Sequence, residues 1–199
     1  MRIVCTDAAL QNAHAPVTEF SRAGLLPYPE CPPRYDAIRA ALATTSWAEF
    51  VSPVQQGDDR LRRVHDDDYL DFLSTAHASW VGRGGSGDLV ASLFAGDDGR
   101  APAEPSAAMG FYGFDTTPIA AGTWAATRAA ADAALTAADL VREGTSAAYA
   151  LCRPPGHHAT RNHFGGYCYL NHAALVAQRL AESGPVAIID IDYHHRNGT

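Results

Sequence analysis

The run from Val186 to Thr199, VAIIDIDYHHRNGT, constrains the fold of this chain more than any other stretch. Its apolar part, Val186 to Ile191, is nearly continuous, as in a strand buried on both faces of a parallel sheet. It delivers Asp190, Asp192 and His194 to its carboxyl end, where open parallel sheets place their chemistry. Asp192 and His194 stand two residues apart, so they leave one face of an extended chain together and can share a metal ion. A catalytic zinc site usually takes three protein ligands, and two are visible here. The run reads as half a site.

Two other short apolar runs read as buried strands, Arg2 to Thr6 and Ala147 to Cys152. The segments between them carry helical signals. Pro32 and Pro33 open a helix through Ile38 and Leu42, and Asp66 to Trp80 places Tyr69, Leu70, Leu73 and His77 at helical spacing. Ile119 to Arg142 is Ala-rich and closed by Gly144, and Leu170 to Leu180 ends before Gly184. Strands alternating with helices predict an α/β fold, a three-layer α-β-α arrangement around a mainly parallel sheet. Residues 1–199 read as one domain. Gly82 to Pro118, rich in Gly and Pro, breaks the pattern and reads as a long loop, either a lid or pocket wall or a floppy insertion. Its acids Asp97, Asp98, Glu104 and Asp115 either attract a cationic substrate or form ordinary solvated surface.

Charge narrows the partners. With 15 basic and 22 acidic residues, a formal charge of -7 and no Lys/Arg block, a nucleic-acid partner is disfavoured and a small uncharged or cationic ligand is favoured. Cys5, Cys31, Cys152 and Cys168 form no CxxC pair, which points to a reducing compartment, the cytoplasm. No apolar run approaches the roughly 18 residues of a membrane span, so no membrane association is expected.

A second cluster, Arg153-Pro154-Pro155-Gly156-His157-His158-Ala159, follows the strand ending at Cys152. Pro and Gly fix the turn, so two neighbouring imidazoles can be aimed at one locus, and histidine both accepts and donates a proton near neutral pH. Downstream, His163-Phe164-Gly165-Gly166-Tyr167-Cys168-Tyr169 combines glycines that admit a close backbone approach with aromatic rings suited to a narrow apolar slot.

RPPGHHA, FGGYCYLN and IDIDYHHxNGT, in this order and spacing, resemble the arginase/deacetylase superfamily, within it the zinc-dependent histone deacetylases and bacterial acetylpolyamine amidohydrolases. Pro29 to Arg34 is similar to the family's PExPxR segment, and Val64 to Leu70 to its VHDxxYL helix, so the resemblance covers most of the chain. It implies an arginase/deacetylase-like fold hydrolysing an acetylated amine, an acetylpolyamine or acetyl-lysine, with Zn2+. By that resemblance Asp192 and His194 are zinc ligands, His157 and His158 the proton-transfer pair with His158 the general base, and Asp190 and Asn197 the groups that orient them. Gly166 and Tyr167 line the acyl channel, and potassium binds near Asp190, Asp192 and His194. A homodimer is compatible with it.

The family completes its site with a third ligand, an aspartate, and an oxyanion-stabilising tyrosine, both beyond Thr199 in the pattern. The expectation is therefore an amino-terminal portion of a longer deacetylase, nearly inactive alone, with an uncovered sheet edge. The competing reading is a non-catalytic remnant acting as a binding or assembly module. A binuclear manganese ureohydrolase is disfavoured because DxHxD is absent. Arg196 stands where the family has glycine, which strains the loop if the backbone there needs positive φ; His172 replaces the second asparagine of LNN.

Overall fold

The computed structural model describes residues 1–21, 23–94 and 99–199. Its sheet holds three parallel strands in the order β4-β1-β5, with β1 (Arg2–Val4) at the centre, β4 (Glu49–Val51) on one side and β5 (Ala148–Ala150) on the other. Ile3 and Val4 are fully buried, as the apolar run of a central strand requires. Helices cover both faces. On one, Val4 packs with Ala133 and Ala137 of α6 (Thr123–Arg142); on the other, Cys5 and Leu151 pack with Tyr35 of α2 (Pro32–Ala43). This is the three-layer arrangement expected from the strand and helix alternation. The alanines of α6 let its backbone approach the sheet closely, and Gly144, at φ 101, ends it with Thr145 N donating to Leu140 O.

A second core lies away from the sheet. There α4 (Asp67–Gly82) brings Tyr69, Leu70 and Leu73 against Leu135 of α6, Leu175 of α7 (His172–Ala181) and the buried Phe164, Tyr169 and Leu170. The remaining elements are α1 (Ala8–Asn12), α3 (Asp58–Arg62), α5 (Pro105–Tyr112) and the antiparallel hairpin of β2 (Thr18–Ser21) with β3 (Gly24–Pro27).

Two expectations are corrected. Residues 82–118 are not a loop throughout. Pro105 opens α5, Glu104 caps it by accepting from Ala107 N, Met109 and Tyr112 enter the core, and Leu89 and Ile119 exchange backbone hydrogen bonds of 2.9 and 2.8 Å. Asp97 and Asp98 lie outside the described residues. The second correction concerns Val186 to Ile191, which forms no strand. It makes no ladder with β5, Ile189 is 86% exposed and Ile191 94%, and the segment is held by contacts at its carboxyl end. Apolar sequence supplies the tendency to extend, but a strand exists only where a neighbour completes its hydrogen bonds.

No helix among the described residues is long and apolar enough to cross a membrane. Three histidines are buried and held neutral: burial lowers His14 to about 3 and His65 and His172 to about 4. Unfolded, each would take up a proton near pH 6.5. Between pH 6.5 and 4 the unfolded state therefore binds more protons, and stability falls as the pH drops, by about 1.4 kcal/mol per pH unit for each group. Denaturant unfolding followed across pH 4–7 should show this loss, and His172→Asn should make it shallower.

Candidate active site

The RPPGHH turn leaves the end of β5 and is anchored by a guanidinium. Arg153 is 3% exposed; its Nη1 donates to Gln11 O at 2.6 Å, its Nη2 to His14 O at 2.6 Å and to Glu30 O at 3.1 Å, and its Nε lies 2.7 Å from Glu30 Oε1. Burial lifts the Glu30 carboxyl above the ordinary range and Arg153 opposes that shift. Gly156 sits where any Cβ would come within 2.6 Å of Leu170 O, so the turn needs a glycine to lie this close to the next loop.

Beyond the turn the two imidazoles diverge to separate partners. His157 Nδ1 lies 3.1 Å from Asp190 Oδ2, and His158 Nδ1 lies 2.5 Å from Asn197 Oδ1. Each partner presents an oxygen to Nδ1, so Nδ1 is the donor of each pair and Nε2 is the ring nitrogen left for other contacts. The ring centroids are 4.1 Å apart. Asp190 itself is held below the usual carboxylate range, first by the Asp192 N–H and then by His157. The His194 N–H does the same for Asp192.

Residues 197–199 fasten this end of the chain to the turn. Gly198 N donates to His157 O at 3.2 Å, and a Cβ at Gly198 would fall 2.2 Å from Ala159 O. Thr199 Oγ1 accepts from Asn171 Nδ2 at 2.9 Å. Arg196 does not need positive φ: Tyr167 is the only non-glycine with positive φ among the described residues, so the condition under which an arginine would strain this loop is not met. The VHDDDYL segment braces the other side. His65 Nε2 accepts from Asn171 N at 3.0 Å, leaving Nδ1 to donate to Arg161 O at 3.3 Å, and Tyr69 Oη donates to Tyr169 O at 2.6 Å.

His157, His158, Asp192, His194, Gly166 and Tyr167 line one cavity of about 650 Å³. Tyr167 forms a wall, with its hydroxyl on Glu19 Oε2 at 2.5 Å and its ring edge on Tyr28, centroids 5.0 Å apart. Glu19, on the β2–β3 hairpin, and Thr117 are lining residues that the sequence reading missed, since neither lies in a recognisable motif. Of the acids considered for a cationic substrate, Glu104 is the cap of α5, while Asp115 lines the cavity but both its oxygens accept backbone N–H groups, from Thr117 at 2.9 Å and Gly166 at 2.6 Å.

The metal question turns on Asp192 and His194. Asp192 Oδ1 and His194 Nδ1 are 3.2 Å apart, close to the edge of about 3.3 Å that a tetrahedral ion with ligand bonds of about 2.0–2.1 Å would impose. The donor set, one carboxylate and one imidazole, suits zinc. No group of three His, Cys, Asp or Glu that could hold a metal converges among the described residues; Asp192 and His194 stand there as a pair. Cys168 is buried, its thiol pushed up to about 12 by burial and its Sγ directed at Gly166 O, which is a structural rather than a reactive setting.

The histone deacetylase domain family matches residues 28–199. Acetylpolyamine amidohydrolase 1 of Pseudomonas aeruginosa is 45% identical over 94% of this chain and 56% of its own length. The acetylpolyamine amidohydrolase of Mycoplana ramosa is 40% identical over 100% of this chain and 59% of its own. A crystal structure of acetylpolyamine aminohydrolase from Burkholderia pseudomallei superposes with a TM-score of 0.83 at 35% identity, covering 92% of this chain and 53% of that one. The chain thus spans a little over half the length of the relatives it matches.

Gly166 is tightly placed as well: at φ 55, a Cβ there would lie 2.3 Å from the His158 ring. Gly166→Ala should therefore lower thermal stability by about 1 kcal/mol or more and shift the His158 imidazole resonances. Unchanged melting and unchanged His158 signals would show that the loop yields freely.

Proposed function

The chain belongs to the histone deacetylase domain family, and from that premise we propose that it carries the proton-transfer half of a zinc-dependent deacetylase that hydrolyses acetylated amines. The observation that supports this most is the convergence of two imidazoles, each oriented by its own acceptor, on the cavity that also holds the Asp192–His194 pair. The relatives' names add acetylpolyamines as the substrate class; an acetyl-lysine side chain presents the same amide.

In this reading Asp192 and His194 hold zinc, which when bound supplies Lewis acidity to the acetyl carbonyl and lowers the pKa of a coordinated water from 15.7 to about 7. The two carboxylates Asp190 and Asp192, both held ionised, also suit a neighbouring potassium ion. The chain's own residues do the rest. Gly166 and Tyr167 confine the acetyl group against the His pair. His158, with Nε2 unprotonated, takes a proton from the attacking water and passes one to the departing amine nitrogen as the C–N bond breaks, leaving acetate and a free amine. His157, fixed by Asp190, places a second imidazole beside it and stabilises developing charge. Asn197 is neutral, so it orients His158 without favouring its imidazolium as an aspartate would.

A zinc-loaded protein that carries these residues together with a third ligand and an oxyanion donor should release acetate from N-acetylputrescine or an acetyl-lysine peptide. His158→Ala should lower turnover by about 100 to 10,000-fold. Turnover retained in that variant would remove His158 from the reaction. Zinc binding with no release of acetate from either substrate would favour a binding module.

A further inference from the structure

Gly165 and Cys168 exchange backbone hydrogen bonds of 3.1 and 3.0 Å, so Gly166 and Tyr167 are the central residues of a two-residue hairpin turn. Both have positive φ, 55 and 67, the left-handed pair of a type I′ turn. Glycine adopts this freely, but for a bulky aromatic residue it is an outlier that persists only where the surroundings over-determine it. The surroundings here are specific. Asp115 Oδ2 accepts from Gly166 N at 2.6 Å while its Oδ1 accepts from Thr117 N at 2.9 Å, and Thr117 Oγ1 accepts from Tyr167 N at 3.1 Å. One short segment, 115–117, therefore captures both central N–H groups of the turn.

We propose that Asp115, acting with Thr117, is a positioning residue that forces the Tyr167 wall into its left-handed conformation over the His pair. Each oxygen of this carboxylate is thereby engaged in shaping backbone. Glu19 then fixes the far end of the same side chain, through the Tyr167 hydroxyl. The role of Tyr167 as a channel wall rests on the function proposed above; its conformation does not, and the two can be tested apart.

The isosteric variant Asp115→Asn presents an amide N–H to one of the two backbone donors and so breaks the pair of bonds. In the full chain, the intraresidue HN–Hα nuclear Overhauser effect of Tyr167, strong only at positive φ, reads the conformation directly. It should weaken markedly in Asp115→Asn, with the Gly166 amide moving upfield, while resonances outside 113–117 and 164–169 stay in place. A full-strength Tyr167 effect and an unmoved Gly166 amide in a folded Asp115→Asn protein would overturn the proposal. If that variant does not fold, Thr117→Val is read by the same two outcomes, with Thr117→Ser expected to restore the native signature. Loss of the signature in a protein without deacetylase turnover would mean that the functional reading had failed and the positioning had not.

Discussion

The buried guanidinium of Arg153 is the interaction on which the arrangement of the His pair depends. All its contacts run to the segment between Gln11 and Glu30, so the turn bearing His157 and His158 is fixed to α1 and to the approach to α2 before any ligand is involved. A charge at this depth is tolerated because Glu30 lies against it and three carbonyls accept from its Nη1 and Nη2; removing one partner of such a pair typically costs about 3–5 kcal/mol. It is a device for geometry more than for net stability. Neighbouring imidazoles can serve one cavity only if the chain between β5 and Ala159 has a single path.

The remaining braces converge on the same few residues from other directions. His65 reaches both Arg161 and Asn171, and Asn171 in turn caps α7 and holds Ala159 and Thr199. The Asn-Gly-Thr end of the chain does three separate things: the asparagine orients His158, the glycine permits a backbone contact no Cβ would allow, and the threonine closes onto Asn171. Motifs far apart in sequence prove to be the two sides of the same hydrogen bonds. Each is short because it needs only one or two atoms at the right place.

Much of this is legible in the residues. The α/β alternation, the long Ala-rich helix and the turn with two imidazoles follow from periodicity, Gly/Pro punctuation and residue chemistry, all local signals. What escaped is non-local. The β2–β3 hairpin carrying Glu19 has exposed Phe20 and Leu25 and no motif, so nothing in its sequence links it to Tyr167. Pro105 and Glu104 do carry a helix-start signal, but the surrounding Gly and Pro concealed it. The run 186–191 misled in the other direction: its composition is that of a buried strand, and composition does not provide the neighbour a strand requires. Asp115 read either as an acid attracting a cationic substrate or as solvated surface, because its two backbone partners lie 2 and 51 residues away.

The central claim is that Asp192 and His194 hold a zinc ion in front of the His pair. X-ray absorption at the zinc edge of the metal-loaded protein tests it most directly. We expect a first shell of nitrogen and oxygen only, at about 2.0–2.1 Å, whose imidazole scattering diminishes in His194→Ala. A sulfur shell at about 2.3 Å, or imidazole scattering unchanged by that substitution, would place the metal elsewhere and contradict the site.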